Sequence, residues 1–287
     1  MSIGDAEIKT QERVIRFFKD PEILGYQYIG NLSDYQNKNI KEDRLRQYLR
    51  LKGYADKLVD AAVMQLQQEA GNLSRGVYDA NKTVYSRLKY GIPVSESPEK
   101  PPVTVQLVDE EKPLNNDFAI AEEVTVVEQS EKRPDLVVYL NGIAVAVIEL
   151  KRSSISVSEG IRQNLTNQKN SFIQSFFTTM QFCMAGNESE GLRYGTLLTG
   201  EKFYMEWKDD GFKEHEEERD SVDVRISKTC EGIENKLLKQ IYAMFDKERF
   251  IDLIMNFVVF DKGIKKVCRY NQYFGIKRTQ QRLTDLR

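Results

Sequence analysis

The sequence predicts an α/β (α+β) fold: a central mixed sheet flanked by helices, with an additional helical insertion near the N-terminus. Changes of period carry that expectation. Residues 5–90 place most of their apolar side chains at helical spacing. Residues 103–150 hold short Val- and Ile-rich runs that read as strands. Between them, residues 92–103 contain four of the seven prolines and form a loop.

In order along the chain, residues 5–19 carry Ile8, Val14, Ile15, Phe17 and Phe18 on a first helix, with Thr10 as candidate cap. "LGYQYIGNL" is a strand entry. Leu45, Leu49, Leu51, Leu58, Val63 and Leu66 mark two helices broken at Gly53, and residues 77–88 add a third. After the prolines come four strands, "VTVQLVD", "FAIAEEVTVVEQ", "DLVVYL" and "IAVAVIEL". The last two are joined by Asn141-Gly142, a strong hairpin signal. Ser156 and Glu159 form a capping box for a helix whose buried face holds Ile161, Leu165, Phe172, Phe176 and Met180. Residues 192–207 read as further strands, 208–220 as a solvated acidic loop, 233–255 as one long helix, and 272–287 as the start of another.

Composition narrows the function classes. With 42 Lys and Arg against 44 Asp and Glu, the formal charge of -2 gives no global attraction to polyanions, so any such site is a local patch. Three scattered cysteines and a single histidine, His215, exclude a Cys/His zinc site and suit a reducing cytosol. The polar N-terminus is no secretory signal, and no apolar run reaches membrane-helix length.

One feature needs a cause. The apolar strand "IAVAVIEL" ends in Glu149, and Lys151 follows. Side chains at i and i+2 share a strand face, so Glu149 and Lys151 point together while Leu150 packs behind. A carboxylate there is costly to desolvate unless a divalent cation, shared with a second carboxylate, compensates it. Asp135 follows a proline and is separated by thirteen residues from Glu149. Each element alone is ordinary at a strand end. Together, across an Asn-Gly hairpin and before a helix, they resemble the PD-(D/E)xK nuclease core. In that reading Asp135, Glu149 and the Leu150 carbonyl bind Mg2+, with Mn2+ as an alternative, and Lys151 orients water or offsets phosphate charge.

Parity sets a test. A flush two-residue turn at Asn141-Gly142 places Asp135 opposite Ile148, on the wrong face for Glu149. The site therefore requires a bulge or a three- or five-residue loop. On the following helix, Gly160, Gln163, Asn167, Ser171 and Gln174 line up as an uncharged polar stripe, suited to phosphate or to solvent. The basic residues Arg152, Arg162, Lys169, Lys262, Lys265, Lys266 and Arg269 are further phosphate candidates. "GTLLTGEKF" imitates a phosphate-binding loop, but Lys202 follows Glu201 and no Ser or Thr comes next, so it reads as a strand-turn-strand.

"RPDLVVYLNGIAVAVIELK", "VSEGIRQNLTNQ", "EGLRYGTLLTGEKFYMEW" and the opening "TQERVIRFFKDPEILGYQYIG" resemble the N-terminal part of the restriction (R) subunit of type I restriction-modification enzymes. The resemblance implies residues 1–260 as a PD-(D/E)xK nuclease domain, with the helical insertion at about 38–90. Residues 261–287 would be the linker and truncated start of a RecA-like motor domain. It further implies cleavage of unmodified double-stranded DNA after ATP-driven translocation by motor domains beyond this chain. The methyltransferase and specificity subunits would be partners, in a bacterial or archaeal cytoplasm without membrane association. By position, Asp135, Glu149 and Lys151 become catalytic, and Glu12 becomes an additional acidic group near the metal. Gln163 matches the first residue of a Gln-x-x-x-Tyr motif whose tyrosine is replaced by Asn167, with Gln168 or Lys169 as substitutes, and Gln272 matches an adenine-reading glutamine. A nuclease domain of another helicase-nuclease is a neighbouring reading. From a different class, the fold could be a DNA-binding or coupling module without cleavage.

Overall fold

The structure is a computed structural model that describes residues 3–95, 97, 99–208 and 221–286; the acidic segment with His215 lies outside them. The chain opens with α1 (Ile3–Lys19) and β1 (Gln27–Asn31), followed by α2 (Glu42–Leu51), α3 (Asp56–Gly71) and α4 (Val77–Tyr90). Next come β2 (Ile92–Val94), β3 (Val103–Val105), β4 (Phe118–Glu122), β5 (Val126–Val127) and β6 (Glu131–Lys132). The hairpin is β7 (Leu136–Leu140) and β8 (Ile143–Leu150), with α5 (Val157–Asn167), β9 (Phe182–Asn187) and β10 (Gly191–Gly195) after it. The remainder is α6 (Ser221–Cys230), α7 (Lys236–Phe245), α8 (Lys247–Asn256), β11 (Val258–Asp261), β12 (Ile264–Val267) and α9 (Tyr270–Asp285).

Six strands form one mixed sheet in the order β1-β4-β7-β8-β9-β10, with β1/β4 and β8/β9 parallel and the other pairs antiparallel. One face holds Leu136, Val138, Leu140, Ile148 and Leu150 and packs in the main core with residues of α1, α2, α3, α7 and α8. The other holds Val137, Tyr139, Ala144 and Val147 and packs on Ile173, Phe176, Phe177 and Met180. Helix α5 covers the site end of that second face through Val157 and Ile161 against Ala185. Among the described residues no helix is long and apolar enough to cross a membrane.

The hairpin turn is Asn141-Gly142, as its sequence predicts, with φ of +51° and +80°. Asn141 is buried and does more than turn the chain. Its Oδ1 accepts from the Asp117 amide at 2.7 Å, and its Nδ2 donates to the Leu107 carbonyl and to Asn116 Oδ1, both at 2.8 Å. A Cβ on Gly142 would stand 2.6 Å from the Lys41 carbonyl oxygen and 2.7 Å from the Leu45 nitrogen, so the start of α2 requires glycine there.

The register then shifts. Tyr139 pairs with Ala144, but Val138 pairs with Ala146, which leaves Val145 as an extra residue on β8. Val145 and Ala146 are consecutive yet both belong to the same core, a break in alternation that marks a bulge. Continuing the register Leu136↔Ile148 by one step sets Asp135 opposite Glu149. A two-residue turn with a bulge is one of the solutions parity allowed.

Several sequence expectations change. Thr10 is buried inside α1 rather than capping it, and the loop at 92–103 is closed by a short hairpin of β2 and β3. Helix α5 stops at Asn167, and residues 174–179 form a separate 3-10 turn that buries Phe176 by its own geometry. Ser156 does cap α5, its Oγ accepting from the Ser158 amide. The "FCMAGN" run, unassigned from sequence, is β9, the parallel partner of β8. Of residues 192–207 only β10 and a single bridge, Tyr194 to Met205, are extended; 201–203 form a 3-10 turn. The long helix is two helices that meet at Asp246, whose carboxylate caps α8 by accepting from the Arg249 amide. Packing continues past residue 260. Tyr273 is buried against Trp207 and Phe257, so the first turn of α9 rests on the body.

Gly142→Ala is expected to lower unfolding free energy by about 2–5 kcal/mol, from positive-φ strain and the clash with Lys41. Urea denaturation with an unchanged m-value is the check.

Candidate active site

The bulge decides which side chains meet. Glu149 closes β8 on the sheet face opposite the main core, with its side chain fully buried. Asp135, immediately before β7, turns its Oδ2 to accept from the Leu150 amide at 2.7 Å. Lys151 follows, and its Nζ lies 2.9 Å from the Leu150 carbonyl, 3.2 Å from Glu7 Oε1 and 3.9 Å from Asp135 Oδ2. Three carboxylates (Asp135, Glu149 and, from α1, Glu7), one carbonyl and one ammonium therefore converge at the end of a strand that is otherwise wholly apolar.

Helix α5 sits close enough to reach them because Gly160 has no side chain. A Cβ there would stand 2.9 Å from that of Ala185 and 3.3 Å from that of Glu149. One turn later, Gln163 Nε2 donates to Glu149 Oε2 at 2.6 Å. The other carboxylate oxygen, Glu149 Oε1, is buried and receives no N–H or O–H donor, and the Asp135 carboxyl lies beside the Glu149 side chain. A buried carboxylate oxygen without a donor is costly, and a cation shared with the neighbouring carboxylate would compensate it.

Electrostatics repeat the point. Burial, outweighing the nearby Lys151 ammonium, raises the Asp135 carboxyl to about 6. Burial and then the Asp135 charge push Glu149 well above the usual carboxylate range. For Lys151, burial works against the charge, but Asp135, Glu149 and Glu7 overcome it and raise the ammonium. The cluster is short of positive charge. Among the described residues no group of three or more His, Cys, Asp or Glu side chains is arranged to hold a metal ion. The donors that fit a hard cation here are the Asp135 and Glu149 carboxylates and the Leu150 carbonyl.

The acidic residue of α1 is corrected. Glu12 is exposed, whereas Glu7 pairs with Lys151. Helical geometry explains this: Glu7, Gln11, Val14 and Phe18 share the face that α1 turns inward, and Glu12 is rotated about 100° from Gln11. Gln11 is buried and donates to Glu122 and Glu123, so the inward face could have been extended one turn to Glu7 from sequence.

The polar stripe is also corrected. Gly160 accommodates the sheet, not a phosphate, and Gln163 binds Glu149. Asn167 and Gln168 are buried rather than presented to DNA. Gln168 ties α5 to the turn after β10, its Oε1 accepting from the Leu198 amide at 2.6 Å and its Nε2 donating to the Asn164 carbonyl at 3.1 Å. Lys169 is exposed at the end of α5, and Arg152 is half-buried beside Lys151. Arg162 is paired with Glu159 and Glu201, and Lys265 is buried away from solvent. Gln272 caps its own helix, its Oε1 accepting from the Arg269 amide at 2.8 Å.

Residues 7–203 match the family model described as type I restriction enzyme R protein N terminus. The chain is 26% identical over 215 residues to the putative type I restriction enzyme MjaIXP endonuclease subunit of Methanocaldococcus jannaschii, across 70% of this chain and 20% of that protein. It is 26% identical over 210 residues to the type I restriction enzyme HindI endonuclease subunit of Haemophilus influenzae, across 68% of this chain and 18% of that one. A third relative, the putative MjaVIIIP endonuclease subunit of M. jannaschii, is 27% identical over 188 residues. The chain thus spans a fifth or less of the length of the curated relatives it matches.

Because both carboxyl groups hold their protons more tightly folded than unfolded, their contribution to stability is present at low pH. It is lost as pH rises from the unfolded carboxylate range through the folded value, about 6 for Asp135. In chelator at pH 8, Glu149→Gln should raise stability by about 1–3 kcal/mol. It should also flatten the decline in stability above the unfolded carboxylate range in thermal melts.

Proposed function

Since the chain belongs to the family of type I restriction enzyme R protein N termini, we propose that it is the DNA-cleaving part of such a subunit, a divalent-metal-dependent phosphodiester hydrolase. The observation that carries this reading is the bulge at Val145, which brings Asp135 opposite Glu149 with the Leu150 carbonyl and Lys151 beside them. An apolar strand has no structural need for that charge cluster, and catalysis supplies one.

In the proposed reaction Asp135, Glu149 and the Leu150 carbonyl would hold Mg2+, or Mn2+ in its place. The bound cation supplies charge neutralisation at the scissile phosphate and acidifies water. Lys151 leaves Glu7 and the Leu150 carbonyl to meet the phosphate or hold the attacking water by its N–H groups. Gln163 fixes the Glu149 carboxylate, so that one oxygen stays directed at the donor set. The exposed Lys169 and the half-buried Arg152 are the cations we assign to the DNA backbone. In a full-length subunit we assign ATP-driven motion to domains outside this chain, with Gln272 as an adenine contact. Methyltransferase and specificity subunits are the partners of that whole, and its compartment is the cytoplasm.

A metal titration followed by a cleavage assay tests this. Mg2+ or Mn2+ should raise the melting temperature of the wild type, by about 2.7 kcal/mol of stability at a hundred times the dissociation constant. Glu149→Ala and Asp135→Asn should abolish that response. In the intact restriction complex, Lys151→Ala should retain the metal response and lose ~100-fold or more in DNA cleavage. A wild-type chain that ignores both cations sinks the proposal and leaves a binding or coupling module.

A further inference from the structure

The bulge at Val145 has a support that the cleavage chemistry does not use. Val145 has no opposite residue on β7, and its carbonyl is held from the other side by the Gln181 amide at 2.7 Å. Gln181 stands directly before β9, whose ladder with β8 begins at Phe182 and Ala146. Its side chain is fully buried, and its Oε1 accepts from Lys265 Nζ at 2.7 Å.

Lys265 lies on β12, about eighty residues later in sequence. It is 2% exposed, and none of its three acceptors is a carboxylate. Beyond Gln181 they are the Met180 carbonyl at 2.9 Å and Asn81 Oδ1 of α4 at 2.8 Å. Asn81 is itself fully buried and donates to the Thr178 and Met180 carbonyls. The Phe260 ring lies 5.2 Å from the ammonium. On the backbone, the Lys265 carbonyl accepts from Thr196 Oγ1 at 2.8 Å, which pins β12 without touching Gln181. A buried lysine without an acidic partner is expensive and is an unusual way to fasten a surface hairpin.

We infer that Lys265 is a positioning residue for the active site. It holds Gln181, Gln181 holds the extra residue Val145, and the bulge sets Asp135 in register with Glu149. The C-terminal hairpin, immediately before α9, is in this way wired to the catalytic register. What that register serves rests on the nuclease reading, but the register can be measured without it. The Leu150 amide donates to Asp135 Oδ2, so its hydrogen exchange reports the position of Asp135 with no metal or DNA present.

Residue-resolved hydrogen exchange on the 287-residue chain, under conditions where each variant is folded by circular dichroism, is the experiment. Lys265→Met should speed Leu150 exchange by about tenfold or more relative to wild type. Gln181→Leu, which keeps its backbone bond to Val145 and avoids removing the lysine, should do the same. Thr196→Val should lower the melting temperature and leave Leu150 protection within about twofold of wild type. The same three proteins titrated with Mn2+ should show weaker binding by about tenfold in the first two only. Leu150 protection unchanged in both Lys265→Met and Gln181→Leu overturns the inference, and so does an equal loss in Thr196→Val. A wild type without any Mn2+ response, combined with the expected Leu150 pattern, overturns the nuclease reading and leaves the positioning chain standing.

Discussion

A single inserted residue governs the arrangement. In an antiparallel hairpin closed by two residues, positions before the first strand and at the end of the second face each other at fixed parity. Val145 changes that parity, and with it the face on which Asp135 emerges. Everything charged at the site follows. Without the extra residue, Glu149 would be a buried carboxylate with an apolar neighbour opposite. With it, Glu149 acquires Asp135, the Leu150 amide is satisfied by the aspartate, and Lys151 closes the group. The bulge is not left to local preference: Gln181 holds its carbonyl, and the Asn39 carbonyl accepts from the Ala144 amide beside it.

The strand that carries the site is rigid for the same reason that it is a poor place for charge. Every residue of β8 is buried. Glu149 therefore cannot relax into water, Asp135 beside it is largely screened from it, and the affinity of both for protons rises instead. An enzyme that needs oxygen donors held at fixed positions gains from this, because the cost of desolvation is met in folding and not during each encounter with a cation. Gly160 belongs to the same design. By letting α5 approach, it places Gln163 on one oxygen of Glu149 and leaves the other without a donor.

Much of this could be read from residues alone, and the reasons are local. Asn141-Gly142 dictates a turn, the alternation on either side dictates strands, and parity then demands the irregularity that is found. Asp135, Glu149 and Lys151 come together as their spacing implied. What escaped reading depended on partners distant in sequence. Asn167, Gln168 and Lys265 are polar, and polar residues on a helix or hairpin read as solvent-facing; they are buried because β9, the turn after β10 and α4 close over them. Strand β9 escaped because "FCMAGN" follows apolar residues whose spacing imitates a continuing helix. The resemblance points to Glu12, whereas helical phase puts Glu7 on the inward face of α1.

The contact between Glu7 and Lys151 has a thermodynamic corollary. An anion that takes the ammonium from Glu7 exchanges one negatively charged partner for another, and the number of ion pairs at the lysine is conserved. Such an isocoulombic swap releases little counterion and borrows little from long-range attraction, so it adds only weakly to the dependence of binding on ionic strength. Selectivity at Lys151 then rests on geometry. The incoming group must offer a better-placed oxygen than a glutamate on the first helix, 3.2 Å away, already provides.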